Sequence, residues 1–240
     1  MSETTLPPEG AEVRHHSVWM PRALLPALTR AYVPALLVLL AVVVLRLTAG
    51  VPMAVLTRDP SQVTGTTPLL GAVSSLGMVL WAGTGSVCLF VAAVLRRRRA
   101  GAAPWTRFFA VAGVLTFWLL ADDLFLLHDV VFPDYFHLDE RLLYLIYGGL
   151  MVAFLLGFLR RIRESDYPVL LLALGFFALS LGFDVLTDWM TLPGEFLLED
   201  GCKFLGIVGW ATYFIRTARR AVVATADNGL RETGAAGPPQ

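Results

Sequence analysis

The sequence predicts an all-α polytopic integral membrane protein, a six-helix transmembrane bundle. Of its 240 residues 56% are hydrophobic and 16% are charged, and the mean hydropathy is +0.66, which is too apolar for an ordinary soluble domain. The apolar residues fall in blocks of about twenty, the length of helix that crosses a hydrocarbon core of about 30 Å. The blocks are continuous and lack the alternation of barrel strands, so we expect helices.

Six such blocks follow one another along the chain. We predict spans over residues 33–55, 69–95, 107–127, 143–160, 168–188 and 196–217. Residues 1–32 are polar and rich in proline, which is typical of a flexible cytoplasmic tail, and 18–32 form a candidate interfacial segment. Residues 218–240 are predicted to be a disordered cytoplasmic tail. The transmembrane domain is therefore predicted to cover residues 33–217.

Arginines lie in alternate connections of the predicted bundle. The N-terminal tail, the second and fourth connections and the stretch after the last span carry Arg14, Arg22, Arg30, Arg96, Arg97, Arg98, Arg99, Arg107, Arg160, Arg161, Arg163, Arg216, Arg219 and Arg220. The odd-numbered connections carry only Arg58 and Arg141. Basic residues near the ends of membrane helices accumulate on the cytoplasmic side. We therefore predict a multi-pass protein of the cell membrane with both termini in the cytoplasm.

Ionisable and hydroxyl-bearing side chains collect in the predicted outer half of the bundle. They come from five of the six spans and their edges: Arg46, Asp122, Asp123, Tyr144, Tyr147, Asp184, Asp188, Glu199, Asp200 and Lys203. A charged side chain at mid-bilayer costs about 2.5–3.5 kcal/mol, so such residues normally face protein or water and have partners. At about 100° per residue each helix presents one polar face. We therefore predict one shared polar cavity that is open to the outside.

Lys203 is the only lysine of the chain and lies inside the sixth apolar block. Glu199 precedes it by four residues, in the order that favours an ion pair along a helix, whereas Asp200 is predicted to point elsewhere. Arg46 is a candidate partner for a further carboxylate. Acids still outnumber bases in this set, so several carboxylates must be protonated, hydrated or sharing a cation.

This pattern favours a site that binds a cation or handles protons, for binding, sensing or transport. Carboxylates on several helices suit proton relays and hard cations. The inner halves of the spans offer few polar groups, such as Thr116, Thr212 and Tyr213, which favours binding or sensing over complete transport. The formal net charge of zero gives no indication of nucleic-acid binding. The expected partners are the lipid bilayer and a cation or lipid substrate.

A second hypothesis is a metal-dependent intramembrane hydrolase that acts on lipid headgroups. Its ligands are predicted to be Asp122, Asp123, His128, Asp184 and Glu199, with a metal-bound water as nucleophile. The arrangement loosely resembles the superfamily of alkaline ceramidases and adiponectin-type receptors, which are multi-helix proteins with a zinc site. That family relies on three histidines, whereas only His128 lies near this site. An oxygen-rich set suits manganese, magnesium or calcium better than zinc, so the expected cofactor is a divalent metal.

Two further hypotheses stay open. The spacing of Glu199 and Lys203 in a last helix is similar to the retinal-attachment helix of microbial rhodopsins, which implies a Schiff base on Lys203 with acids as counterions. That family has seven spans, one more than we count here. The other hypothesis is a non-catalytic membrane subunit whose polar network specifies helix packing.

Several residues also have a purely structural interpretation. Trp81 is predicted to be a belt or packing residue, and His128 is typical of an interfacial histidine. Small residues in the second span, together with Gly148, Gly149 and Gly157, are predicted to allow close helix packing.

Overall fold

A computed structural model describes residues 21–58, 60–67, 69–97, 103–187 and 195–235, and within these ranges the chain is helical and has no strand. The helices are α1 Pro21–Ala49, α2 Met53–Thr57, α3 Pro60–Thr64, α4 Ala72–Arg96, α5 Ala103–Phe125, a π-helix Leu127–Tyr135, α6 Glu140–Gly157, α7 Leu159–Arg163, α8 Tyr167–Thr187 and α9 Glu195–Ala235. The predicted all-α class is confirmed.

The chain divides into two compact units, Met1–Leu70 and Gly71–Gln240. The first unit contains α1 and the short helices α2 and α3. The guanidinium of Arg46 donates to the carbonyl oxygen of Gly50 at 3.1 Å, just beyond the end of α1. Gly50 has a φ of 68°, the left-handed conformation in which helices commonly end at glycine. A cation at this position complements the helix dipole.

Three helices are long and apolar enough to cross a membrane: α4, α5 and α8. Three of the predicted spans thus correspond to candidate membrane helices. The described apolar parts of α1 and α6, Leu36–Ala49 and Leu142–Gly157, are shorter. In α9 the apolar part is bounded by charged residues, Lys203 before it and Arg216 after it. The described part of the chain thus has three candidate spans, and the count of six stays a prediction.

Helix boundaries differ from the predicted spans, most clearly in three places. The helix α1 begins at Pro21, inside the predicted tail, and α9 continues to Ala235, beyond residue 217. The fourth predicted span is broken near Phe158, between α6 and α7. Hydropathy marks where a chain leaves the lipid, whereas the hydrogen-bonded helix α9 continues beyond that point through polar residues. Residues 1–20 and 236–240 lie outside the described residues.

The core of the second unit is aromatic. In it α4 packs against α5 and α9, and α8 packs against α9. The rings of Phe108, Phe154 and Phe214 stack or tilt against one another with centroids 5.8–6.3 Å apart, and all three are nearly fully buried. Trp210 is also fully buried, and its indole N–H donates to the hydroxyl of Thr116 at 3.1 Å. A buried indole N–H needs such a partner.

Glycines allow the closest helix contacts. A Cβ on Gly206 of α9 would lie 2.6 Å from the ring of Phe177 of α8. A Cβ on Gly113 of α5 would lie 2.7 Å from the side chain of Leu89 of α4. Both distances are below van der Waals contact, so these helices approach each other only because a side chain is missing.

The predicted close packing is confirmed in α4, where added Cβ atoms on Gly77 and Gly85 would meet neighbouring helices at 3.0 and 2.9 Å. It is wrong for Gly148, Gly149 and Gly157. These three are exposed, and no described atom lies within 4 Å of a Cβ built there. The reason is that α6 contacts its neighbours through its aromatic side chains, as in the Phe108–Phe154 ring contact.

Candidate functional site

Polar side chains of the second unit meet near one end of its long helices. Asp122 and Asp123 lie in the last turn of α5, Asp184 in the last turn of α8, and Lys203 in the third turn of α9. Asp122 and Asp123 are adjacent in the chain but face different neighbours, because successive residues of a helix are about 100° apart. They therefore form two separate sets of contacts.

The carboxylate of Asp122 is buried, with the residue 5% exposed. One oxygen, Oδ2, lies 2.5 Å from Nδ1 of His128. The other oxygen, Oδ1, accepts the backbone N–H of His128 at 3.1 Å and the hydroxyl of Tyr147 at 2.8 Å. Both oxygens of this buried carboxylate thus have partners, as buried charges in proteins require.

The backbone after α5 brings His128 to this carboxylate. Leu126 has a φ of 51°, a left-handed conformation that costs a residue with a side chain roughly 1–2 kcal/mol. The π-helix follows. In its first turn, the backbone N–H groups of Val130 and Val131 both donate to the carbonyl oxygen of Leu126. The reversal at Leu126 places both the amide and the ring of His128 on Asp122. Wide helical turns of this kind are frequent at functional sites.

Tyrosines extend the contacts to a second carboxylate. The hydroxyl of Tyr144 donates to Oδ2 of Asp184 at 2.8 Å. The ring centroid of His128 lies 6.0 Å from that of Tyr144 and 6.2 Å from that of Tyr147. We call Asp122, His128, Tyr144, Tyr147 and Asp184 the aspartate–histidine cluster. It joins α5, the π-helix, α6 and α8.

Asp123 faces α4 and α9. Its Oδ1 lies 2.7 Å from Nζ of Lys203, and its Oδ2 accepts the indole N–H of Trp81 at 2.8 Å. The Asp123 side chain is 10% exposed and that of Lys203 is 40% exposed. Trp81 is buried and stacks on Phe177 with the ring centroids 5.8 Å apart. The prediction that Trp81 only packs is incomplete, since it also donates to a carboxylate. A pair of Lys203 with Glu199 along α9 stays a prediction.

A small pocket that is open to solvent lies beside this ion pair. It is lined by Val73, Ser74, Asp123, Asp200, Lys203, Phe204 and Ile207. Asp200 and Lys203 both line it, because residues three apart on a helix are neighbours. That Asp200 points elsewhere than the polar stripe of Glu199 and Lys203 stays a prediction.

The remaining predicted site residues have other surroundings. The backbone carbonyl of Glu199 accepts the hydroxyl of Ser180 at 3.0 Å, which joins α8 to α9. Asp188 lies outside the described residues. Arg46 belongs to the first unit, where it contacts Gly50, and its pairing with a carboxylate stays a prediction.

The predicted metal ligands divide between the two sets of contacts. Asp122 contacts His128, whereas Asp123 and Asp184 have other partners. Within the ranges that the structure describes, no three His, Cys, Asp or Glu side chains are arranged so that they could hold a metal ion. The metal site stays a prediction.

The other end of the second unit carries arginines paired with acids. Asp166, just before α8, accepts Nε of Arg216 at 2.9 Å and also Nη1 of Arg220, both from α9. These guanidiniums hold the pKa of Asp166 below its usual value, and the hydrogen bond from Arg216 has the largest effect. The guanidinium of Arg161 lies 5.5 Å from the ring centroid of Trp105. These pairs are not predicted from the sequence, although Asp166 is an acid in an arginine-rich connection.

Comparison with known protein families assigns the chain to one of them. Residues 32–217 match the family described as a domain of unknown function, DUF8692. No curated protein and no solved structure matches the chain. The matched region contains the whole aspartate–histidine cluster, Asp123 and Lys203. The chain belongs to the DUF8692 family.

Proposed function

We propose that this chain is a multi-pass protein of the cell membrane that takes up and releases a proton at the aspartate–histidine cluster. The cluster belongs to the predicted outer half of a six-span bundle whose termini are cytoplasmic. The separation of charge along the second unit supports this orientation, since acids lie near one end of α9 and arginines near the other.

One observation carries the proposal: a buried carboxylate, that of Asp122, lies 2.5 Å from Nδ1 of His128. Histidine is the side chain whose ordinary titration falls closest to physiological pH. A carboxylate and an imidazole at this distance share one proton, and its position depends on which group is ionised. The described residues lack a three-ligand metal group, which favours a proton over a metal ion at this site.

The surroundings of the pair suit reversible protonation. The Asp122 side chain is 7% exposed and the His128 side chain 16% exposed, so the imidazole is the more accessible of the two groups. The hydroxyl of Tyr147 and the amide of His128 both donate to Oδ1 of Asp122. A proton that arrives at His128 therefore meets a carboxylate that already accepts two other hydrogen bonds.

The inner polar residues favour proton binding or sensing over complete transport. Thr116 accepts the indole N–H of Trp210, and the hydroxyl of Tyr213 lies 2.8 Å from that of Ser165. Thr212 is exposed and donates to the carbonyl oxygen of Val208 in its own helix. These candidate relay groups are engaged in contacts that fix the helices.

Infrared difference spectroscopy of the purified protein between two pH values tests the proposal. We expect a carboxyl band together with imidazole bands, both lost in Asp122→Asn and the imidazole bands lost in His128→Gln. Asp134→Asn is the matched control, because Asp134 is exposed on the same π-helix, and it should keep both.

A spectrum that is the same in Asp122→Asn and in the wild type would exclude a proton on this pair. Elemental analysis of the same samples distinguishes the proton site from the alternative, a metal-dependent hydrolase. A near-stoichiometric divalent metal that disappears in Asp122→Ala would favour the metal-dependent hydrolase instead.

A further inference from the structure

Six arginines lie at the end of the second unit that is remote from the aspartate–histidine cluster. We call them the arginine surface: Arg160, Arg161, Arg163, Arg216, Arg219 and Arg220. Two acids, Glu164 and Asp166, lie among them, so six positive and two negative charges leave a formal charge of +4. Neither the proton site nor the helix packing uses this excess charge.

Contacts with these acids and with one ring hold part of the arginine surface in place. Asp166 binds Arg216 and Arg220, so one carboxylate fixes the spacing of two guanidiniums on α9. Glu164 binds Nε of Arg160 at 3.0 Å and Nη1 of Arg161 at 2.5 Å. A positioned guanidinium loses less entropy when it binds an anion than a freely moving one does.

The paired arginines keep donors for another ligand. The side chains of Arg160, Arg216 and Arg220 are 82%, 55% and 59% exposed. Each guanidinium has five N–H donors, and one contact with an acid uses only some of them. In the part of the chain that the structure describes, no acid pairs with Arg163 or Arg219, and both are exposed.

The arginine surface lies where lipid headgroups are found. Asp166 immediately precedes α8, one of the three candidate membrane helices, so its two arginines lie at the level where α8 begins. Phosphate groups of phospholipids occupy this level, just outside the hydrocarbon core. Guanidinium groups bind phosphate oxygens with two parallel hydrogen bonds. This step rests on the membrane insertion proposed above.

We propose that the arginine surface binds the phosphodiester headgroup of anionic phospholipids. Anionic lipid is favoured over zwitterionic lipid, because the latter brings an ammonium group that the excess positive charge repels. Arg163 and Arg219 supply unpaired charge, while Arg216 and Arg220 supply donors at a fixed spacing.

Native mass spectrometry of the full chain, released from nanodiscs of phosphatidylcholine with a varied fraction of phosphatidylglycerol, tests this inference. We expect the wild type to retain phosphatidylglycerol in preference to phosphatidylcholine. Arg163→Gln should reduce that preference about fivefold, and Arg163→Gln/Arg219→Gln about 25-fold, from the usual contribution of one basic residue near an anionic surface.

Arg58→Gln is the matched control, since it removes one exposed arginine from the first unit and should leave the preference unchanged. Equal retention of the two lipids by the wild type would overturn the inference, and so would an unchanged preference in the double variant. Loss of the preference on adding inorganic phosphate would identify a free-phosphate site instead. The infrared bands of Asp122 and His128 should persist in all these variants, so failure here leaves the proton site untouched.

Discussion

Asp122 and Asp123 show how two adjacent carboxylates join different parts of one unit. Asp122 contacts the π-helix and α6 through His128 and Tyr147, whereas Asp123 contacts α4 and α9 through Trp81 and Lys203. A single acid at this turn of α5 would reach only one of these groups of helices, because a side chain leaves the helix in one direction. The pair therefore links five elements through two consecutive residues.

The sequence predicted which residues are polar at this end, but not their partners. Charges inside apolar blocks identified Asp122, Asp123 and Lys203, because charges in such places need partners wherever they lie. His128 is predicted to be an interfacial histidine or a metal ligand, and nothing in its hydropathy pattern indicates the left-handed turn at Leu126 that brings it back to α5. Trp81 was missed as a donor, because an indole ring is also a common packing residue in membrane helices.

Trp81→Phe tests the contact with Asp123. Phenylalanine keeps an aromatic ring beside Phe177 but removes the N–H that donates to the carboxylate. We expect a loss of about 1.5–3 kcal/mol in the free energy of unfolding, the usual contribution of a hydrogen bond to a charged group. Thermal unfolding in detergent measures it. Trp118→Phe is the comparison, since Trp118 is 41% exposed, and a loss as large as that of Trp81→Phe would contradict the assignment.

The hydropathy pattern predicts that a helix is present better than it predicts the residues at which the helix begins and ends. The apolar blocks predicted α4, α5 and α8, because length and apolarity suffice to identify a membrane helix. The break near Phe158 and the π-helix were not predicted. Both depend on local backbone conformation, which the hydropathy pattern does not indicate. Helix contacts at glycine were predicted correctly only where a neighbouring helix is present.

Gly206→Ala tests the close approach of α8 and α9. The new Cβ would lie 2.6 Å from the ring of Phe177, which must move, so we expect a loss of about 1–3 kcal/mol in stability. Gly148→Ala is the matched control on an exposed face of α6, and it should gain about 0.5–1 kcal/mol from helix propensity. Thermal unfolding of both variants measures the difference. Equal stability of the two would show that α8 and α9 do not touch at Gly206.

For the chain as a whole, the sequence predicts acids on one side of the membrane and arginines on the other. Acids and arginines alternate between connections, and the second unit has acids near one end of α8 and α9 and arginines near the other. Consecutive antiparallel helices run in opposite directions, so alternate connections lie at the same end of the unit. The alternation of acids and arginines along the chain therefore becomes a separation between the two ends. The division into two units was not predicted, since hydropathy contains no information on which helices contact each other.

Cysteine labelling of intact cells tests the predicted orientation. We expect Asp134→Cys, on the π-helix, to react with a membrane-impermeant maleimide from outside. Arg163→Cys, on α7, should react only after the membrane is opened, because the arginine surface is predicted to be cytoplasmic. Both changes are made in a Cys88→Ala/Cys202→Ser background, which removes the two native thiols. The reverse pattern of labelling would invert the topology.

The helix α9 is continuous from Glu195 to Ala235 and carries Lys203 near its start and Arg216 further along. Their Cα atoms are separated by about 20 Å along the axis, at 1.5 Å per residue. A continuous hydrogen-bonded helix resists compression. A translation or rotation of α9 at Lys203 therefore displaces Arg216 by nearly the same amount. The two ends of the second unit are thus mechanically coupled through α9.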